Sequence, residues 1–424
     1  MSVLPVPAQS LLPNLTDERP MNSDPDLQPP LLSFGFRPFF LLAGLYAMIA
    51  MLAWMSWLGL HSMNAVVVKP SIAVAPHLWH GHEMIFGYAT AVISGFILTA
   101  VPNWTGARRI AGTPLVILVL LWLIGRIVVW FSAYLPAYLV AVADMAHLPA
   151  LMVFVALGLF VRPAPRNLIF LLILALLALA NGAVHAEWLG LGDGFATRGL
   201  AVGLMTESLL IVIIGGRVVP SFTRNALMRR GGAQPLPRSM PMLDNASILA
   251  AALLVGCFVF SLPDPATGIA ASAAALLNGI RLSFWRFPAV RNEPILWSLH
   301  LAYAWIIVGY SALACSRLIG WFSETAALHL LGIGAVGGMT LAIMTRAALG
   351  HTGRKLTVRR PIALAYGLIA LAAIIRSFGP GLFPAHYFEA IFLAGGLWLS
   401  GFAIFTISYF AILAGPPLTK RQAV

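Results

Sequence analysis

From about residue 33 onward the chain alternates long apolar runs with short polar interruptions. Runs of about 20 residues, the length a helix needs to cross a bilayer, occupy 36–60, 80–101, 113–131, 134–160, 167–188, 197–220, 244–262, 266–285, 294–317, 325–346, 360–379 and 386–413. The pattern predicts an all-α, polytopic membrane bundle of about twelve transmembrane helices, with one integral domain over 33–414. Residues 1–32 hold seven prolines and mixed charges with no apolar core segment, so they read as a disordered tail rather than a cleaved leader; 415–424 read as a second tail.

Lysine and arginine test that list, because positive residues collect on the cytoplasmic side of a membrane protein. Arg19, Arg37, Arg108, Arg109, Arg162, Arg166, Arg224, Arg229, Arg230, Arg238, Arg281, Arg286, Arg291, Arg346, Arg354, Lys355, Arg359, Arg360, Lys420 and Arg421 fall on one side, and only Lys69, Arg198 and Arg317 on the other. One missed or invented span would invert every later loop and destroy the asymmetry, so both termini are expected in the cytoplasm. Arg126, Arg217 and Arg376 remain within or at the rim of spans, the last two near enough to span ends to snorkel.

Composition agrees with a lipid environment: 60% of the 424 residues are hydrophobic and 9% are charged. The net charge of +12 sits in short loops and not on a soluble module, which argues against a nucleic-acid partner. Cys257 and Cys315 fall inside apolar spans with no metal-type spacing. A Gly-rich phosphate loop, an H-E-x-x-H helix and a G-x-S-x-G elbow are all absent from the sequence.

The ionisable residues inside the spans are the candidates for function, since lipid makes each of them costly. In "HLWHGHEMIFGYATAVISGF", His80 and Glu83 share a face with Met84 and Gly87 if the helix is regular, while His82 points about 200° away from His80. The two histidines would then serve different centres. His185 ends the fifth span one turn after Asn181. His300 lies toward the cytoplasmic end of the ninth span. His329 stands near the outer end of the tenth, followed by Gly332, Gly334, Gly337 and Gly338. His351 comes 22 residues later, about 33 Å along a helix axis, at the opposite surface. Asp144 and His147 are three apart, and Arg126 is placed to pair with Asp144 across a short hairpin or to leave it free for a proton path. Glu207 poses the same alternatives. His61 and His386 lie at outer surfaces. Neutral imidazole is a common metal and haem ligand.

Five separated stretches carry a resemblance: "FGFRPFFLLAGLYA" at 34–47, "WHGHEMIFGYATAVISGFILTAVPNWTG" at 79–106, "GGRVVPSFTRN" at 215–225, "LHLAYAW" at 299–305 and "HLLGIGAVGGMTLAIMTRAALGHTGR" at 329–354. Together they resemble the bacterial NnrS family. The resemblance implies a twelve-span protein of the bacterial cytoplasmic (inner) membrane that contains haem and copper and is associated with denitrification and with tolerance of nitric oxide. It implies His80, His82, His185, His300, His329 and His351 as cofactor-binding residues; topology puts His80, His82, His185 and His329 in an outer, metal-binding layer and His300 and His351 toward the cytoplasm, and the preference of reduced copper for thioethers makes Met84 a candidate extra contact. Expected partners are the lipid bilayer, nitric oxide or a related small molecule, and an electron donor such as a quinol or a cytochrome.

Two other function classes compete. A secondary transporter would suit twelve spans divided six and six by the loop at 221–243, although "PNWTGARRIAGTP" lacks the acidic residue of the common sugar-porter loop. A non-catalytic protein delivering haem or metal to a denitrification enzyme, or sensing it, would need the same histidines.

Overall fold

The computed structural model describes residues 29–63, 71–231, 235–418. Arg19, Lys69, Lys420 and Arg421, most of the expected N-terminal tail and the end of the C-terminal one lie outside the described residues. Every regular element among the described residues is helical.

Eleven helices are long and apolar enough to cross a membrane: α1 Phe36–Ser62, α2 Pro76–Thr105, α3 Thr113–Trp130, α4 Ala137–Leu159, α5 Pro165–Trp188, α6 Phe195–Arg230, α7 Pro241–Val259, α9 Pro294–Ile319, α10 Glu324–His351, α11 Arg360–Leu382 and α12 Pro384–Ala414. The expected span at 266–285 forms α8, Asp264–Ser283, which is 20 residues long but less apolar. Its Asn278 and Arg281 are buried and hydrogen-bonded within the protein, while Ile269, Leu276 and Ile280 are exposed on its other face. It packs between α7 and α9.

Prolines set most of the boundaries. Pro76, Pro165, Pro241, Pro294 and Pro361 stand in the first turn of α2, α5, α7, α9 and α11, where the missing N–H costs nothing. Pro149 acts differently. It removes an amide and crowds the carbonyl of Met145 one turn back, and α4 is interrupted at Ala146. Asp144 and His147 therefore part company instead of sharing one regular face: His147 Nε2 meets Ser94 Oγ at 2.9 Å, and Asp144 turns to another cluster.

Two helices form the axis of the bundle. In α2 and in α6, 89% of the most apolar stretch is buried inside the protein, against 33–44% in α1, α3, α4, α5, α7, α11 and α12. The peripheral helices turn one face to lipid, which is why Ile49, Leu52, Leu179 and Ile407 are exposed. The central pair cannot, so their polar residues must find partners within the protein.

Both α2 and α10 change pitch. Glu83–Ala89 and Leu330–Gly337 are π-helical, each starting directly after a histidine-bearing turn. Such wide turns are rare and concentrate at functional sites. They also shift the register of the residues that follow relative to the histidine-bearing turns.

Candidate metal centre in the outer half

His82 and Glu83 are adjacent where the α-helical turn of α2 gives way to the widened one, and the two side chains meet. Glu83 does not share a site with His80, as a regular 3.6-residue helix would have it. Its Oε1 accepts from His82 Nδ1 at 2.9 Å, its Oε2 accepts from Arg126 Nη1 at 2.8 Å, and Tyr46 of α1 donates its hydroxyl to the same Oε2. Trp130 Nε1 in turn donates to the Tyr46 oxygen at 2.8 Å.

Arg126 bridges two acids. Its second nitrogen pairs with Asp144 Oδ1, the hairpin ion pair expected from the sequence. The other oxygen of Asp144 collects three groups: His185 Nε2 at 2.8 Å, Asn181 Nδ2 at 2.9 Å and His82 Nε2 at 3.2 Å. His82 Nε2 also faces Asn181 Oδ1 at 2.9 Å. Trp188 closes the group, with its ring centroid 5.0 Å from each of the two imidazoles. His82, Glu83, Arg126, Asp144, Asn181 and His185 are all buried.

One nitrogen each of His82 and His185 and one oxygen of Asp144 lie within 4.8 Å of one another, a spacing that suits a single metal ion. The electrostatics point the same way. Two carboxylates and one guanidinium leave one negative charge in a buried site, which is strongly unfavourable unless a cation balances it. With its Nδ1 hydrogen given to Glu83, His82 Nε2 carries a lone pair aimed at two oxygens. Something positive, a proton or a metal ion, must stand there.

Gly87 makes room for this arrangement. A Cβ at that position would lie 2.7 Å from Tyr46, 2.9 Å from Arg126 Nη1 and 3.0 Å from Glu83 Oε2. We expect Gly87→Ala to push Arg126 out of its bidentate position and to cost about 1–3 kcal/mol, the usual range for overpacking. Thermal unfolding in detergent checks this, and an unchanged midpoint would mean that the pocket has slack.

His80 occupies the other side of α2. Its ring stacks on Trp54 of α1 with centroids 4.7 Å apart and planes 12° from parallel, and the stack continues through Trp57 to His61. His80 Nδ1 is buried without a hydrogen-bond partner. His329 of α10 and Arg376 of α11 lie within electrostatic range. The Nδ1–H of His329 donates to the Thr325 carbonyl at 2.7 Å, which orients the ring and leaves Nε2 as a lone-pair donor. One turn beyond, Gly332 borders open space.

The remaining histidines stand apart from these two groups. His300 has both nitrogens engaged, Nδ1 with the Leu296 carbonyl at 3.1 Å and Nε2 with the Trp285 carbonyl at 3.3 Å and Thr223 Oγ1 at 3.5 Å. His351 is exposed at the end of α10 beside Phe36. Tyr46, Trp188, Trp54 and the Glu83–Arg126 pair escaped the sequence reading. Only the last three rings of the stack had a visible signal, the spacing of Trp54, Trp57 and His61 along one face of α1.

Among curated proteins, none matches the chain. The family profile described as NnrS protein matches residues 30–416, which include every helix and both histidine groups, and the chain therefore belongs to the NnrS family.

Proposed function

We propose that this protein handles nitric oxide or a species derived from it in the bacterial cytoplasmic membrane, using copper held by His82, His185 and Asp144 and haem held by His80 and His329. Membership of the NnrS family supports a membrane protein of the nitric oxide response. The observation that carries the metal assignment is the buried convergence of His82, His185 and Asp144.

The donor sets fit the two groups. Imidazole nitrogen with a carboxylate oxygen suits oxidised copper. Glu83 behind His82, and Arg126 with Asn181 behind Asp144, are the outer partners that fix such ligands. For haem, His329 offers a fixed imidazole with a free Nε2, and His80 offers an unbonded Nδ1. Arg376 would supply positive charge beside a haem held there. When bound, these metals supply the one-electron chemistry that a diatomic radical requires. The chain itself keeps His82, His185 and Asp144 away from water, holds His82 in one tautomer through Glu83 and places an arginine beside each group.

Metal analysis tests the assignment. Protein from haem- and copper-replete cells should show a Soret band and bound copper. His82→Ala and His185→Ala should lose copper, His80→Ala and His329→Ala should lose iron, and His61→Ala should lose neither. A colourless wild type, or equal metal content in all five variants, removes the assignment.

A further inference from the structure

A cavity of about 60 Å³ lies deeper in the bundle, where α2, α6 and α10 meet. Glu207 of α6 and Thr340 of α10 are the two polar side chains on its wall, and neither exposes polar surface to the space. Thr340 Oγ1 donates to the Val336 carbonyl at 2.7 Å and lies 3.0 Å from the Gly337 carbonyl, and it also meets the Tyr88 hydroxyl. Glu207 is 3% exposed. The rest of the wall is apolar.

Size and wall chemistry together restrict what can be held. A buried water makes about three hydrogen bonds, and this wall offers it none, so water gains nothing by entering. The volume is several times the roughly 10–15 Å³ that one water-sized sphere requires, yet far below the roughly 300–1,000 Å³ of a site for a drug-sized ligand. What fits is an apolar species of one or a few atoms.

Position adds to this. Ala89 on the wall closes the π-helical segment that begins directly after His82, and Val336 lies in the one that begins directly after His329. Each stands seven residues from its histidine, roughly 10 Å along a helix axis. The cavity is thus close to both histidine groups and belongs to neither.

We propose that this cavity is a binding site for one small uncharged diatomic molecule, taken up from the hydrocarbon of the bilayer past the half-buried Phe96 and Leu210. Such a molecule is an apolar solute, which water expels and an apolar space accepts. The site raises its local concentration inside the bundle, near both histidine groups. That the physiological occupant is nitric oxide rests on the function proposed above; the preference for an apolar diatomic follows from the wall alone.

Xenon probes the site, because it enters apolar cavities by the same forces. Anomalous diffraction from crystals of the full-length protein under xenon pressure should place an atom between Ala89, Glu207 and Val336, and crystals under dioxygen pressure should show density at the same position. Ala89→Leu and Val336→Phe fill the space from two different helices, so each should lose the xenon peak, and either suffices where the other does not fold. His82→Ala and His329→Ala should keep it whether or not they lose metal, which separates this result from the copper and haem assignments. The proposal is overturned by a wild type that takes up neither gas there, by ordered water or a lipid acyl chain in the cavity, or by xenon undiminished in both filled variants.

Discussion

Replacing Arg126 with methionine will destabilise the protein by about 3–5 kcal/mol, the cost of removing one partner from a buried ionic group. The magnitude follows from what is left behind. Glu83 and Asp144 both depend on this guanidinium, and both are fully enclosed, so the variant keeps two carboxylates in one dry site with only the single cation at His82 between them. Methionine retains the length of the side chain, so the loss reports charge and not a cavity. Unfolding in detergent, followed by thiol-reactive dye or circular dichroism, gives the comparison. The triple variant that also carries Glu83→Gln and Asp144→Asn should recover most of the loss, because neutral amides remain once the charges are gone. A stable single variant would show that water reaches the cluster.

If copper occupies the outer site as proposed, Asp144→Asn will abolish its binding, whereas Glu83→Gln will weaken it by about 10–100-fold, the range seen when an outer partner of a ligand is lost. The two substitutions are equally conservative in shape but touch different atoms. Asp144 Oδ2 is one of the three atoms that could hold the ion, and an amide there is a poorer donor without charge. Glu83 never approaches the metal position; it holds His82 through Nδ1. Its loss leaves the ligand atoms in place and frees the ring to turn. Chelator competition measures both affinities. Equal losses would make Glu83 a ligand in its own right, and no loss in either would reduce the cluster to a structural ion-pair network.

Much of this architecture is legible in the sequence because lipid imposes it. A spanning helix must be apolar for about 20 residues, and eleven of the runs found that way are helices long and apolar enough to cross, while the run at 266–285 forms the less apolar α8. The helical period likewise separates His80 from His82, and the two rings do face different neighbours. Glu83 was not legible. Its partners Arg126 and Tyr46 come from two other helices, and adjacent positions on a wholly buried helix can both turn inward. Tyr46 and Trp188 look like ordinary membrane aromatics until tertiary contacts place them. The break in α4 had a visible cause in Pro149, but a proline inside an apolar run also occurs in unbroken spans.

The ion-pair cluster draws side chains from each of the first five helices, with Tyr46 on α1, Glu83 on α2, Arg126 on α3, Asp144 on α4 and His185 on α5. During synthesis these arrive one after another, so an emerging chain released into lipid after α2 carries an acid whose counter-ion has not yet been translated. The N-terminal five helices must therefore be sheltered by the insertion machinery, or by one another, until the last has been delivered.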